Sequence, residues 1–99
     1  MLTINKHSEN GIAVLSLEGE LDTLTSKDLA NEIEGFLDGV TDLTVDLEGL
    51  VYITSAGLRV LLVIEQTMEE QGKMRVLHVC EDVMEVFEVT GFTEVLIIE

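Results

Sequence analysis

An apolar run of strand length, Leu43 to Leu47, is followed within a few residues by Thr54-Ser55-Ala56-Gly57 and then by an apolar segment too long for a strand. This succession constrains the fold more than any other part of the chain. A strand that feeds directly into an apolar helix must pack that helix back on its own sheet, so the chain is expected to be built of strand-helix-strand units. Leu58 to Ile64 is interrupted only by Arg59, and good helix formers continue from Glu65 to a stop at Gly72. Leu58, Leu61, Leu62 and Met68 form a stripe suited to the sheet. Val60, Val63 and Ile64 spread apolar surface beyond it, for neighbouring helices or a partner to cover.

The junction itself carries small hydroxyl residues where a helix begins. The first backbone N–H groups of a helix have no intrahelical acceptor, and the macrodipole places partial positive charge beside them. Ser55 is expected at the N-cap or one residue inside it, with its hydroxyl directed outward. Two readings follow from these residues: Thr54 and Ser55 simply cap the helix, or Ser55 is a phosphorylation site.

The remaining segments agree with a single α/β domain over residues 1–99. Leu2 to Lys6 alternates with polar residues, Ile12 to Leu17 is apolar at almost every position, and Asn10-Gly11 between them signals a β-hairpin. A strand apolar on both faces is expected inside the sheet. Thr25 can cap a helix carrying Leu29, Ile33, Phe36 and Leu37 at helical spacing, with Gly39 as its end. Met74 to Cys80 reads as a strand and Glu81 to Thr90 as a helix presenting Val83, Val86 and Phe87. Gly91 suits its left-handed end, with Phe92 packed back on Phe87. Val95 to Ile98 supplies a last strand, giving a mixed sheet of about five strands with helices mainly on one face. Asp46 lies near the carboxyl end of its strand, where open α/β sheets form their sites, and with Asp22 it could flank Ser55.

Charge narrows the partners. Twenty acidic against 5 basic residues give a net charge of -15, which disfavours nucleic acid and anionic membrane surfaces and favours a basic partner protein. One cysteine, Cys80, allows no internal disulfide, and no apolar run approaches the about 18 residues of a membrane span, so a soluble cytoplasmic protein is expected.

The pattern Asp46-Leu47-x-x-Leu50-x-Tyr52-Ile53-x-Ser55-x-Gly57-Leu58-x-Val60-Leu61 resembles the central motif of the STAS family of anti-sigma factor antagonists. The resemblance implies that Ser55 accepts phosphate from a partner kinase. The family usually carries Asp before the acceptor, and Thr54 in its place adds a second candidate acceptor. Gly19-Glu20-Leu21-Asp22 is similar to the family's first conserved loop, which borders the acceptor, and Met84 to Phe92 looks like its closing helix and turn. The implied partner-binding residues are Asp22, Asp46, Thr54, Ala56, Gly57 and Leu58. The implied partners are an anti-sigma factor that is also a serine protein kinase and a PP2C-type phosphatase. ATP and a divalent metal would belong to the kinase; the chain itself would need no cofactor and be no enzyme. Many members carry a further helix, and a homodimer is one way to cover what it leaves open.

Two other readings compete. Thr54 in the usual Asp position supports a STAS scaffold that is not phosphorylated, such as a regulatory subunit associated with a transporter. A hydrolase would use Ser55 as nucleophile, but Ile53 replaces the first glycine of a nucleophile elbow, and the only histidines, His7 and His78, fall on predicted strands. The acidic residues show no EF-hand spacing, so no metal site is expected.

Overall fold

The computed structural model describes residues 1–99. Asn10 and Gly11 both adopt left-handed backbone, with φ 55° and 82°, as a two-residue primed turn requires. They join β1 (Leu2–Glu9) to β2 (Ile12–Leu21) as an antiparallel hairpin with Glu9 opposite Ile12. After α1 (Thr25–Ile33), β3 (Asp42–Ile53) lies parallel to β2. After α2 (Ser55–Gln71), β4 (Lys73–Leu77) lies parallel to β3, and α3 (Glu81–Thr90) completes the set. The sheet order is β1-β2-β3-β4, so β2 is an interior strand as its composition implied.

Only one face of the sheet is covered. Ala13, Leu15 and Leu17 of β2, Leu43, Val45 and Leu47 of β3, and Met74 and Val76 of β4 are buried beneath the helices. The alternating positions Ile12 and Val14 remain 60% and 36% exposed on the other face, where the sequence suggested burial on both. On α2 the core stripe is Leu58, Leu61, Ile64 and Met68; Ile64, and not the half-buried Leu62, completes it, while Val63 stays exposed. None of the helices is long and apolar enough to cross a membrane.

Several boundaries differ from the sequence reading. α1 stops at Ile33, not at Gly39, because Glu34 turns extended and Gly35 takes φ 81°; Leu37 then reaches the core from a turn and Phe36 packs against it half-buried. β3 does not end at Leu47 but runs on to Ile53. Its pairing with β2 slips twice, between Ser16 and Glu18 and between Gly19 and Glu20, and each slip places an extra residue on β3. The buried positions accordingly change from two-residue spacing, Leu43, Val45, Leu47, to three-residue spacing, Leu50, Ile53, which keeps the same face toward the helices across each bulge. β4 ends at Leu77, because His78 adopts a left-handed φ of 59°. Cys80 N-caps α3, half-buried, with its thiol 3.3 Å from the Leu50 carbonyl.

The last segment is not a strand. Gly91 caps α3 at φ 81°, its N–H donating to the Phe87 and Glu88 carbonyls, and Phe92 stacks on Phe87 with ring centroids 6.3 Å apart. A 3-10 turn over Phe92–Glu94 then consumes the residues that a strand would need. Only Ile98 forms a parallel bridge, to Val76 on the outer side of β4. The sheet therefore has four strands and one bridge.

Candidate functional site at the start of α2

β2 and β3 finish together, Leu21 opposite Ile53, and the Thr54 N–H donates to the Leu21 carbonyl at 3.0 Å. That bond anchors the start of α2 on the end of β2. Thr54 is the N-cap in extended backbone, and the first helical bond runs from the Leu58 N–H to the Thr54 carbonyl at 2.9 Å. The N–H groups of Ser55, Ala56 and Gly57 thus precede the helical ladder and carry its positive end.

The two hydroxyls here have opposite surroundings. Neither makes a side-chain cap hydrogen bond. Ser55 is exposed, whereas Thr54 Oγ1 is buried and has no hydrogen-bond partner. A hydroxyl in that position cannot be reached by an enzyme without opening the helix terminus.

Gly57 allows the helix to lie so close. A Cβ at this position would stand 2.7 Å from Leu21 Cγ, 2.8 Å from the Leu21 carbonyl oxygen and 3.0 Å from Ile53 Cγ1. Gly57 and Leu58 are buried within the domain, so of the residues named from the sequence these two position the site and offer no side chain to a partner. Ala56 is half-buried.

Asp22 follows Leu21 and so lies in the loop against the start of α2. Its Oδ1 accepts the N–H groups of Leu24 at 3.0 Å and Thr25 at 2.9 Å, while its own N–H donates to Thr25 Oγ1 at 2.8 Å. Asp22, and not Thr25, therefore supplies the side chain that accepts the N–H groups at the start of α1. The Thr25 N–H is the main reason that the Asp22 carboxyl titrates below the usual range. Because the folded value is depressed, this contribution is present above the unfolded carboxylate range and is lost as pH falls through the folded value. Asp22→Ala is expected to fray α1 and to remove that acid-sensitive step, read by amide hydrogen exchange at Leu24 and Thr25 across pH 2 to 6. Unchanged exchange would show the cap to be dispensable.

Asp46 is elsewhere. The extension of β3 leaves it seven residues before Ile53, about 20 Å along the strand, opposite Ser16 and Leu77. It does not flank Ser55. Its Oδ1 instead accepts the Glu48 N–H at 3.0 Å and lies 3.0 Å from His78 Nδ1, and Glu48 Oε1 is 3.7 Å from the same nitrogen. Partial burial opposes ionisation of Asp46, but the hydrogen bonds from His78 and the Glu48 N–H, with the imidazolium charge, outweigh it and depress the carboxyl. The Asp46 hydrogen bond correspondingly raises His78.

Sequence reasoning missed the apolar surroundings of the α2 start. Leu24 in the β2–α1 loop is 75% exposed, and Val51 and Tyr52 at the end of β3 are 58% and 54% exposed. The signal was available: Val51 and Tyr52 are apolar neighbours in sequence, and a strand covered on one face cannot bury both.

The STAS domain family model matches residues 3–99. The chain belongs to the STAS domain family. It is 35% identical over 88 residues to BtrV of Bordetella bronchiseptica, by its name a candidate anti-sigma factor antagonist, covering 87% of this chain and 76% of that protein. It is 32% identical over 77 residues to the anti-sigma-F factor antagonist RsfB of Mycobacterium tuberculosis, covering 77% of this chain but only 63% of RsfB. Its fold is also that of the Bacillus anti-sigma factor antagonist SpoIIAA. The TM-score is 0.83 to the unphosphorylated form, over 98% of this STAS domain and 88% of that chain at 21% identity. It is 0.74 to the phosphorylated form, over 98% and 91% at 21% identity.

Proposed function

We propose that this STAS domain is an anti-sigma factor antagonist working as a partner switch. With Ser55 free it binds an anti-sigma factor that is also a serine kinase; the kinase transfers the γ-phosphoryl of ATP to Ser55 Oγ, releasing ADP and a proton, and the complex separates. A PP2C-type phosphatase hydrolyses the phosphoserine and restores binding. The chain contributes an acceptor and a docking surface and catalyses neither step.

One observation carries this reading: the Ser55 hydroxyl is exposed and uncommitted at the positive end of α2, while the neighbouring Thr54 hydroxyl is sealed off. Phosphate is well placed at such a terminus, where free N–H groups and the dipole receive it. Names borne by relatives that cover much of the chain, BtrV and RsfB, support the same assignment. Exposed Leu24, Val51 and Tyr52 supply apolar contact surface beside the acceptor.

Incubation with the anti-sigma kinase, ATP and Mg2+ is expected to add one phosphate, located by peptide mass measurement on Ser55. Ser55→Ala should take up none. Thr54→Val should still be phosphorylated and be at least as stable as the parent, since it removes a buried hydroxyl without a partner. Phosphate on Thr54, or on neither residue, would remove the switch and leave a scaffold.

A further inference from the structure

The open face of the sheet brings together three side chains that the switch does not use. Asp46 and Glu48 stand two residues apart on β3, and β4 runs parallel beside them with Leu77 opposite Asp46. The next residue, His78, takes a left-handed φ of 59°, and its ring meets both carboxylates. The donor atoms of Asp46, Glu48 and His78 all lie within 4.8 Å of one another.

Two of those separations are close to those within a coordination shell. A zinc-type cation bonded at about 2.0 to 2.2 Å to nitrogen and oxygen holds tetrahedral ligand atoms about 3.3 to 3.6 Å apart. His78 Nδ1 is 3.0 Å from Asp46 Oδ1 and 3.7 Å from Glu48 Oε1, so small side-chain rotations complete the geometry. The Glu48 N–H already orients the Asp46 carboxylate, as an outer-shell donor does in built metal sites. Beside the cluster is a pocket of about 350 Å³ lined by Ser16, Leu17, Glu18, Asp46, Glu48 and Gly49, with no Lys or Arg. Gly49 lets Glu18 lie across β3, since a Cβ there would come within 2.6 Å of Glu18 Cγ. Glu18 thus lines the same pocket from the neighbouring strand.

An ordinary surface ion pair explains the grouping less well. A His78–Asp46 pair alone does not call for Glu48 Oε1 only 3.7 Å from the same nitrogen. We propose that Asp46, Glu48 and His78 bind one divalent transition cation of the Zn2+ class, with water in the remaining position. An imidazole among the donors selects such a cation over Mg2+ or Ca2+, which take oxygen ligands.

The test is calorimetric titration of the intact chain with Zn2+ and, separately, Mg2+, on the parent and three variants checked for fold by circular dichroism. The parent is expected to bind one Zn2+ and no Mg2+ at the same concentration. Asp46→Asn and His78→Gln should each weaken Zn2+ by about tenfold or more, the least that loss of a ligand costs when outer-shell losses alone reach that size. His7→Gln, which removes the other histidine near a carboxylate, should change nothing. Absence of Zn2+ uptake, uptake indifferent to Asp46→Asn and His78→Gln, or uptake lost with His7→Gln would each overturn the site and leave Asp46 and His78 as a surface ion pair.

Discussion

Ser55→Asp is expected to bind the anti-sigma partner about a hundredfold to a thousandfold more weakly than the parent, and Ser55→Ala to bind as tightly as the unphosphorylated chain. Two effects of opposite sign meet at this hydroxyl. Within the domain, negative charge at the start of α2 gains about 0.3 to 1 kcal/mol from the helix dipole. Exposed Arg59, one turn along the helix, stands at the spacing where opposite charges attract. The fold therefore survives. Across the interface, the same charge enters a contact shaped for a neutral hydroxyl and flanked by exposed apolar residues, where desolvation and misplaced charge cost several kcal/mol. The net loss of about 3 to 4 kcal/mol corresponds to the fold-change given. Calorimetry on the two variants, with circular dichroism as the check on folding, measures it. Equal affinity of Ser55→Asp and parent would sink the switch.

Gly57→Ala carries the largest expected effect on stability. The added methyl would press on Leu21 Cγ at 2.7 Å and on the Leu21 carbonyl oxygen at 2.8 Å, and the second of these is main chain, held at the end of a parallel pairing by the Thr54 N–H. Relief requires α2 to move away from β2, straining the bond between the Thr54 N–H and Leu21. Overpacking of this kind costs about 1 to 3 kcal/mol. For a domain of this size each kcal/mol lowers the melting temperature by about 4 to 8 °C. Thermal unfolding followed by circular dichroism reads the cost directly. An unchanged midpoint would mean that the helix start is not held this closely.

The placement of Ser55 at a helix start was legible because the signals there are local. A strand composition ends, hydroxyl residues follow, and an uninterrupted apolar helix begins. The hairpin was legible for the same reason, in Asn10-Gly11, as was the cap at Gly91. The length of β3 was not. Bulges belong to a pair of strands, so the change from Leu43, Val45, Leu47 to Leu50, Ile53 reads as the end of a strand when β3 is taken alone. That one error displaced Asp46 toward Ser55 and concealed its meeting with His78. The end of α1 was misread because Phe36 and Leu37 keep helical spacing while packing from a turn; Gly35 was the stop that the pattern overrode. The burial of Thr54 Oγ1 is a product of packing and leaves no trace in sequence.

The bridge from Ile98 to Val76 bears on the exposed edges of the sheet. An unpaired strand edge is a template for intermolecular pairing. Along the outer side of the five-residue β4, the Val76 N–H already donates to the Ile97 carbonyl at 2.8 Å, and the Val76 carbonyl accepts the Glu99 N–H at 2.9 Å. A stranger meeting that edge finds its centre occupied. The opposite edge, β1, has no such cover, but it presents Lys6, His7, Ser8 and Glu9 in succession, with Lys6 held by Glu32 and lying over the Phe36 ring. One edge is thus blunted by Ile97 to Glu99 and the other by charge, so neither offers a bare row of backbone groups to another strand.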